Sequence, residues 1–518
     1  MTLRVNQEKQ RGILVVDFGS QYSRLIARRI RELNRYCEIV SPESKKEATS
    51  IDIDGVILSG GPSSVYDEGA PSIPEWIKKI DVPFLGICYG MQELIHEAGG
   101  KVQRSEKREY GRANIKSTAD HPIMKNLETN LEVWMSHSDR VESLPDGFSV
   151  IAESENCKNA VIARGSKFIG LQFHPEVSHT LQGVKILENY LAEICRCPKE
   201  WVPEKFVEKA IRAIKEKVGN QKVICALSGG VDSSVVAMLL YKAIGEKLTC
   251  IFVDNGLMRK DEPERIISTF EKKLGSSFMF VDAAEEFLSA LKNITDPEQK
   301  RKIIGTKFIE VFERSAESIG EVRFLAQGTL YSDVVESKTP GMKASDRIKS
   351  HHNVGGLPEN MKMELVEPLR FMFKDEARLA GLELGLENEI VNRQPFPGPG
   401  LAIRIIGAVD REKLEIIREA DWIVINEIKK NNLYEKLWQT FAVLTNIQTV
   451  GVMGDKRTYS YVVALRCVES IDAMTADWAE LPAELLKTLS TRIVNEVPKV
   501  NRVVYDITSK PPGTIEWE

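Results

Sequence analysis

Val82-Pro83-Phe84-Leu85-Gly86-Ile87-Cys88-Tyr89-Gly90-Met91-Gln92 is an apolar run that stops at a cysteine set between two glycines. The run over 82–87 predicts a buried strand, and 91–98 carries a helix-like pattern. Glycines at 86 and 90 permit a tight strand-to-helix turn that pushes the intervening side chain out of the sheet. This is the nucleophile-elbow layout, with cysteine where serine usually stands. The amides opening the following helix favour a thiolate and can bind a developing oxyanion. Taken alone, the commoner fate of such a cysteine is burial in an ordinary strand–turn–helix.

Two flanking features change that balance. The apolar run 55–58 ends in Ser59-Gly60-Gly61-Pro62, whose amides can complete an oxyanion site. The run 168–173 ends in His174-Pro175-Glu176. Residues two apart in an extended segment project to the same side. Glu176 can therefore orient His174, and His174 can activate Cys88, which is triad logic in the order Cys…His…Glu. A solvated histidine beside an unrelated glutamate would explain the last motif singly; three motifs in order at strand ends favour catalysis.

The surrounding chain predicts a parallel α/β core with an antiparallel extension. The run 12–16 leads into Tyr22, Leu25, Ile26, Ile30 and Leu33 at helical spacing, while 101–173 breaks into short strand-like pieces such as 131–135 and 160–163. A helix-like stretch, 181–194, precedes a proline-interrupted connector around Cys195-Arg196-Cys197-Pro198. A second α/β unit follows, with strands at 222–227 and 248–253 around a helix at 233–244. Its 337–359 stretch is polar and long enough for a lid. Gln394-Pro395-Phe396-Pro397-Gly398-Pro399-Gly400 interrupts the pattern. An α+β module then mixes helices at 411–430 and 483–495 with strands at 449–453, 459–468 and 502–507. The expected domains are 1–200, 201–393 and 394–518.

Between strand 223–227 and the next helix lies Ser228-Gly229-Gly230-Val231-Asp232-Ser233-Ser234. Glycines let backbone approach phosphates, hydroxyls add donors, and the helix start favours anionic charge. Asp232 can hold Mg²⁺ through oxygen. The loop lacks the lysine of a Walker A motif.

Composition sets the outer limits. The 518 residues exceed one hydrophobic core, and 42% hydrophobic with 28% charged residues is ordinary for a globular protein. A net charge of −5 supplies no bulk attraction to nucleic acid or anionic membrane. No apolar run suits a transmembrane helix, the first residues lack a signal-peptide core, and the eight cysteines are scattered. These features predict a cytoplasmic location with reduced thiols.

The three motifs of the first zone resemble the class I (triad) glutamine amidotransferases over roughly 11–198. That resemblance implies a flavodoxin-like domain and hydrolysis of glutamine through a Cys88 thioester. It also implies an oxyanion hole at the Gly61 and Tyr89 amides, and glutamine contacts at Gln92, Ser136, His137 and Asp139. The 228–234 loop is similar to that of the N-type ATP pyrophosphatases, a doubly wound α/β fold in which Asp254 would meet the nucleotide. An ammonia source fused to an adenylating domain describes an amidation.

Gly328-Thr329-Leu330-Tyr331-Ser332-Asp333-Val334-Val335-Glu336-Ser337, Ile348-Lys349-Ser350-His351-His352-Asn353, the 395–400 segment and the 510–518 tail resemble the glutamine-hydrolysing GMP synthetases. The likeness runs from 13 to 518. It implies amination of xanthosine 5′-monophosphate (XMP) to GMP through an adenylated XMP, with AMP and pyrophosphate released. It further implies a lid carrying Asp333, Glu336 and Lys349, with Glu336 sharing Mg²⁺ with Asp232. XMP contacts would be Arg301, Gln439, Arg502, Lys510 and Glu516, and the last zone would be a dimerisation domain. Lid hydrogen bonding suits His351-His352 better than a metal site, because no Cys or third His lies nearby in sequence.

Rival readings are weaker. Asparagine synthetase-like enzymes need an N-terminal cysteine, which Met1-Thr2 does not supply, and NAD synthetase usually partners a nitrilase-like glutaminase. RNA-modifying relatives of the loop would need basic patches. A non-enzymatic scaffold would not need Cys88, His174, Glu176 and Asp232 together.

Overall fold

The structure, a computed structural model, describes residues 10–49, 51–331, 333, 363–453, 456–470, 473 and 475–518. The chain divides into two compact units, Met1–Phe206 and Val207–Glu518.

The first unit is built on nine strands: β1 (Arg11–Val16), β2 (Cys37–Val40), β3 (Asp52–Leu58), β4 (Phe84–Ile87), β5 (Lys101–Ser117), β6 (Asn130–Ser143), β7 (Ser149–Ser154), β8 (Val161–Arg164) and β9 (Phe168–Leu171). Their order is β2-β1-β3-β4-β9-β8-β7-β5-β6. The first five are parallel and carry the flavodoxin-like 2-1-3-4-5 order; the remainder pair antiparallel. The residues explain the division. In β1 and β4 nearly every position is buried, as strands covered on both faces require. In β6 burial alternates, which marks a sheet with one wet face. The short pieces expected over 101–173 include a pair of long strands, β5 of 17 residues and β6 of 14, interrupted in register between Arg104 and Glu109. Their polar exposed face hides that length from a hydrophobicity pattern. The helix expected over 181–194 is an α-helix, Gly183–Asn189, finished by a π turn, Tyr190–Ile194.

The second unit carries two sheets. Strands β10 (Val223–Ala226), β11 (Leu248–Asp254), β12 (Phe278–Asp282), β13 (Phe324–Ala326) and β14 (Glu364–Val366) form a parallel sheet ordered β12-β11-β10-β13-β14. Strands β15 (Gln439–Met453), β16 (Lys456–Glu469), β17 (Asp477–Trp478) and β18 (Val500–Tyr505) form the other, with β18 parallel to β16. The strand expected at 449–453 is the end of the longer β15, which shifts register between Leu444 and Gln448. Helix Arg411–Lys430 has the expected bounds and is capped by Asp410, which accepts the Lys413 amide at 2.8 Å. One apolar cluster joins the sheets, running from Ile224, Ile251 and Leu325 through Ile304 and Ile417 to Leu444 and Val463. The 393/394 boundary therefore falls inside a shared core. Among the described residues no helix is long and apolar enough to cross a membrane.

Candidate active sites

Cys88 lies between β4 and helix Tyr89–Glu97 with φ +51° and ψ −107°, a backbone conformation that L residues rarely adopt. Neighbouring contacts enforce it. The Cys88 amide donates to Leu171 O on β9 (2.7 Å) and the Gly90 amide to Ser59 O (3.0 Å). A Cβ at Gly86 would sit 2.6 Å from the Gly90 carbonyl, and one at Gly90 would sit 2.3 Å from Leu58 O. The two glycines are thus required by close packing, as the sequence suggested. The strained turn aims the thiol at Ser136, whose carbonyl oxygen is 3.5 Å from Cys88 Sγ.

His174 follows β9, the strand beside β4. Its Nδ1 is 2.7 Å from Glu176 Oε1, and both side chains are buried. Burial opposes the imidazolium, but the Glu176 carboxylate and a hydrogen bond to Cys88 outweigh it and raise His174 to about 10. The rest of the setting is rigid. Thr180 Oγ1 donates to His174 O (2.6 Å) and accepts from the Trp134 amide (3.0 Å), while the Tyr22 ring packs edge-on at 5.1 Å. Gly60 entered the sequence reading only as part of the 59–62 motif. A Cβ there would stand 3.0 Å from His174 Cε1 and 3.7 Å from Cys88 Cβ, so its bare backbone keeps the gap between thiol and imidazole open. Ser59 Oγ fixes this loop, accepting from the Phe18 amide (3.0 Å) and donating to Gly60 O (2.7 Å). The Tyr89 amide opens its helix, where N–H groups have no intrahelical acceptor. Its phenol is tied to Pro71 O at 2.6 Å.

Of the residues expected around glutamine, Gln92, His137 and Asp139 are buried and linked to one another, while Ser136 meets Cys88 through its backbone oxygen. Gln92 Nε2 donates to Asp139 O (2.8 Å) and, more weakly, to Gln172 Oε1 (3.4 Å), so Gln92 ties the helix to β6. His137 Nδ1 faces Asp139 O at 3.1 Å, and its Nε2 lies 3.3 Å from Glu109 Oε2 without hydrogen-bond alignment. Burial lowers the His137 imidazole.

In the second unit, residues 227–230 connect β10 to helix Val231–Ile244. Ser228 Oγ and Ser233 Oγ are 3.0 Å apart, and Ser234 Oγ donates to Gly230 O at 2.7 Å. Gly229 has φ +71°, and a Cβ there would stand 2.2 Å from Ile266 Cδ1. Arg393, paired with Glu262, donates from Nη1 to Gly229 O at 2.9 Å. Asp232 Oδ2 is 3.3 Å from Lys374 Nζ, whereas its buried Oδ1 has no hydrogen-bond partner among the described residues. Asp254 ends β11, with Oδ1 accepting the Gly256 amide (2.8 Å); burial raises its carboxyl. Asp333 Oδ2 accepts the Leu330 amide at 2.9 Å. Glu336, Lys349, His351 and His352 lie outside the described residues.

The third group is partly assembled. Glu516 is held by Arg404 (Nη2–Oε1 2.9 Å) and by Gln439 Nε2 (2.7 Å). Arg301 joins the same tail by donating to Glu518 O. Lys510 Nζ instead donates to Ala473 O (2.7 Å), and exposed Arg502 reaches Thr449 Oγ1 (3.3 Å). A cavity of about 510 Å³ beside Glu516 is lined by Asp506, Thr508, Thr514 and Trp517 among others. Arg393, Arg404 and Lys374 were missed in sequence because a lone basic residue looks like surface; only flanking of the 394–400 segment distinguishes the two arginines.

An elbow cysteine with a buried imidazole–carboxylate pair, followed by a hydroxyl-rich phosphate loop on a parallel sheet, defines a triad amidotransferase joined to an ATP pyrophosphatase. Family models agree: "Glutamine amidotransferase class-I" matches 14–194, "NAD synthase" 204–307 and "GMP synthase C terminal domain" 426–517. The chain is 56% identical over 515 residues to a GMP synthase (glutamine-hydrolysing) of Dehalococcoides mccartyi, covering 99% of this chain and 97% of that one. It is 56% identical over 508 residues to that of Carboxydothermus hydrogenoformans, covering 98% and 99%. The chain belongs to the glutamine-hydrolysing GMP synthase family.

Proposed function

We propose that this chain makes GMP from XMP, ATP and glutamine, the final step of de novo guanine nucleotide synthesis. The observation that carries the reading is the presence, in one chain of this family, of two chemically complementary sites: one that frees ammonia and one built for ATP phosphates.

Cys88 Sγ attacks the side-chain amide carbon of glutamine, and the amides of Gly61 and Tyr89 receive the oxyanion. His174, held as imidazolium by Glu176, protonates the departing ammonia, then takes a proton from the water that releases glutamate from the thioester. Gln92, Ser136, His137 and Asp139 form the glutamine wall. In the second unit, Ser228, Gly229, Gly230, Val231, Ser233 and Ser234 cradle the β- and γ-phosphates as an XMP oxygen attacks the α-phosphorus. Asp254 meets the nucleoside. Ammonia then displaces AMP from the adenylated purine carbon.

The buried, unpartnered Oδ1 of Asp232 beside a phosphate cradle suits Mg²⁺, which takes one or two carboxylates plus phosphate oxygens and water. Asp232, with Glu336, would hold that ion, which would neutralise charge on the leaving pyrophosphate. Gln439 and Glu516 suit a purine edge, and Arg301, Arg502 and Lys510 a phosphomonoester. Asp333, Glu336 and Lys349 serve the lid. A homodimer through the C-terminal sheet is supported by exposed Val450, Val452 and Tyr459, which share one face of β15 and β16. The enzyme acts on free nucleotides in the cytoplasm, without nucleic acid or membrane.

The test incubates purified protein with XMP, ATP, Mg²⁺ and glutamine and separates the nucleotides chromatographically. GMP and AMP should appear in equal amounts. AMP without GMP, obtained on adding another acceptor, would reassign the substrate.

A further inference from the structure

The segment Pro395-Phe396-Pro397 carries one aromatic ring into a group of three guanidiniums. The Phe396 centroid lies 4.9 Å from Cζ of Arg259, 5.4 Å from that of Arg393 and 5.1 Å from that of Arg404. Each arginine has its own acid: Arg259 Nε is 2.9 Å from Asp421, Arg393 pairs with Glu262, and Arg404 Nη2 is 2.9 Å from Glu516. Three cations around one ring repel one another, and three carboxylates offset that repulsion. The ring face attracts each guanidinium as an apolar side chain of similar size could not.

The outer ends of this group reach two different places. Arg393 Nη1 holds the carbonyl of Gly229 (2.9 Å) in the 228–234 loop. Arg404, fully buried, holds the Glu516 carboxylate, and its Nη1 is 3.6 Å from Asp421, the acid that Arg259 also uses. Gln439 bonds both Glu516 Oε1 (2.7 Å) and Pro395 O (3.2 Å), tying the same carboxylate to the backbone beside the ring. Arg404 Nη1, Arg259 Nε and Glu262 Oε1 are buried without a well-directed hydrogen bond, and of the three pairs only Arg404 Nη1–Asp421, at 3.6 Å, has room to close.

We infer that Phe396 is a positioning residue shared by the two nucleotide sites, joining the arginine that shapes the pyrophosphate loop to the arginine that holds Glu516. A purine that engages Glu516 takes carboxylate away from Arg404. The guanidinium then moves toward Asp421 and the ring, Arg259 must readjust, and the ring shift is felt by Arg393 and Gly229 O. The result is positive coupling between XMP and ATP carried by direct contacts. The inference rests on reading Glu516 as an XMP contact and 228–234 as the ATP loop.

The test measures, on the full chain, the calorimetric affinity for Mg²⁺–α,β-methylene-ATP with and without saturating XMP. In the unaltered protein XMP should tighten the analogue at least about fivefold, the lower end of ordinary allosteric coupling. Phe396→Leu should bind each ligand alone within about threefold of the unaltered protein yet show coupling below about twofold; Phe396→Tyr should keep it. Phe396→Met replaces the leucine variant if the latter does not fold. Equal coupling in Phe396→Leu, equal loss in Phe396→Tyr, or no coupling in the unaltered protein would overturn the inference. Asp232→Ala and Glu516→Gln separate the premises: if they leave the analogue and XMP affinities unchanged, the site reading fails and the relay with it.

Discussion

His174 Nδ1 stands 2.7 Å from Glu176 Oε1, two residues further along a stretch of bends after β9 where the extended chain expected from sequence is not formed, and both side chains are buried. That contact, together with the one to Cys88, favours the charged imidazole. Burial alone would drive His174 below its ordinary value; the carboxylate, with the Cys88 contact, lifts it to about 10. A raised folded-state value stabilises the fold fully below the ordinary imidazole range, and that contribution is lost as pH climbs through the folded value. Glu176→Gln removes the carboxylate and leaves only the Cys88 contact to oppose burial. Histidine-selective NMR should show His174 charged from pH 6 to 9 in the unaltered protein and losing its proton at distinctly lower pH in the variant. Glutaminase turnover should fall by about 10²–10⁴, the range of general acid–base catalysis. An unshifted titration in the variant would remove Glu176 from the triad.

Gly60→Ala tests the space between thiol and imidazole. The added methyl would stand 3.0 Å from His174 Cε1, closer than ordinary van der Waals contact, and the ring cannot yield without stretching its bond to Glu176. Misplacing a catalytic group by around 1 Å can cost about 10² in rate. We expect a comparable loss of glutamine hydrolysis, with ammonium-dependent synthesis and thermal stability little changed. A fully active alanine variant would show that His174 retreats freely.

Motifs bound to short-range geometry were legible in the sequence. Gly86 and Gly90 around Cys88 announce a close-packed turn, and the glycine- and hydroxyl-rich stretch after strand β10 announces a strand–loop–helix turn; each needs only local chain behaviour. Arg404 was not legible, because its meaning depends on Glu516, which is 112 residues away. The length of β5 was hidden too, since pairing with β6 sustains it where its own residues carry no apolar period. The 393/394 boundary reads as a linker in sequence because proline and glycine break both periodicities. In the fold those residues pack into a core shared by two sheets, with Leu401, Ala402 and Ile405 fully buried.

Cys88→Ala should separate the two half-reactions. Removing the sulfur eliminates the thioester, so glutamine-dependent GMP formation should drop by at least about 10³. Synthesis from added ammonium salts should stay within about twofold, because the second unit has its own site. Parallel rate measurements with the two nitrogen donors decide it. Loss of both activities would place the chemistry elsewhere.

Asp232→Ala should give the opposite pattern. Asp232 faces Lys374 with one oxygen and leaves the other buried and unpartnered. Without the carboxylate, Lys374 loses its partner and the loop loses the oxygen proposed to hold Mg²⁺. AMP formation from XMP and ATP should fall by at least about 10², the scale of a lost electrostatic contact in phosphoryl chemistry, with either nitrogen donor. Retained AMP formation would shift the metal role to other residues.

Lys300 offers a stability test at the tail that carries Glu516. Its side chain is fully buried, with Nζ donating to Ala402 O (3.0 Å), Ile405 O (2.7 Å) and the Glu518 carboxylate. Lys300→Met leaves that carboxylate and two carbonyls without their donor, which costs about 3–5 kcal/mol when a buried pair is broken from one side. Replacing both partners is different. Lys300→Met with Glu518→Leu removes the stranded charge, and such apolar exchanges are often close to neutral, so the double variant should recover much of the loss in urea unfolding. It should not recover XMP affinity to the same extent. The Glu518 side chain also accepts the Gly407 amide at 3.2 Å, three residues from Arg404, and that bond helps set where Arg404 holds Glu516. A double variant as unstable as the single one would mean that Lys300 acts through the two carbonyls alone.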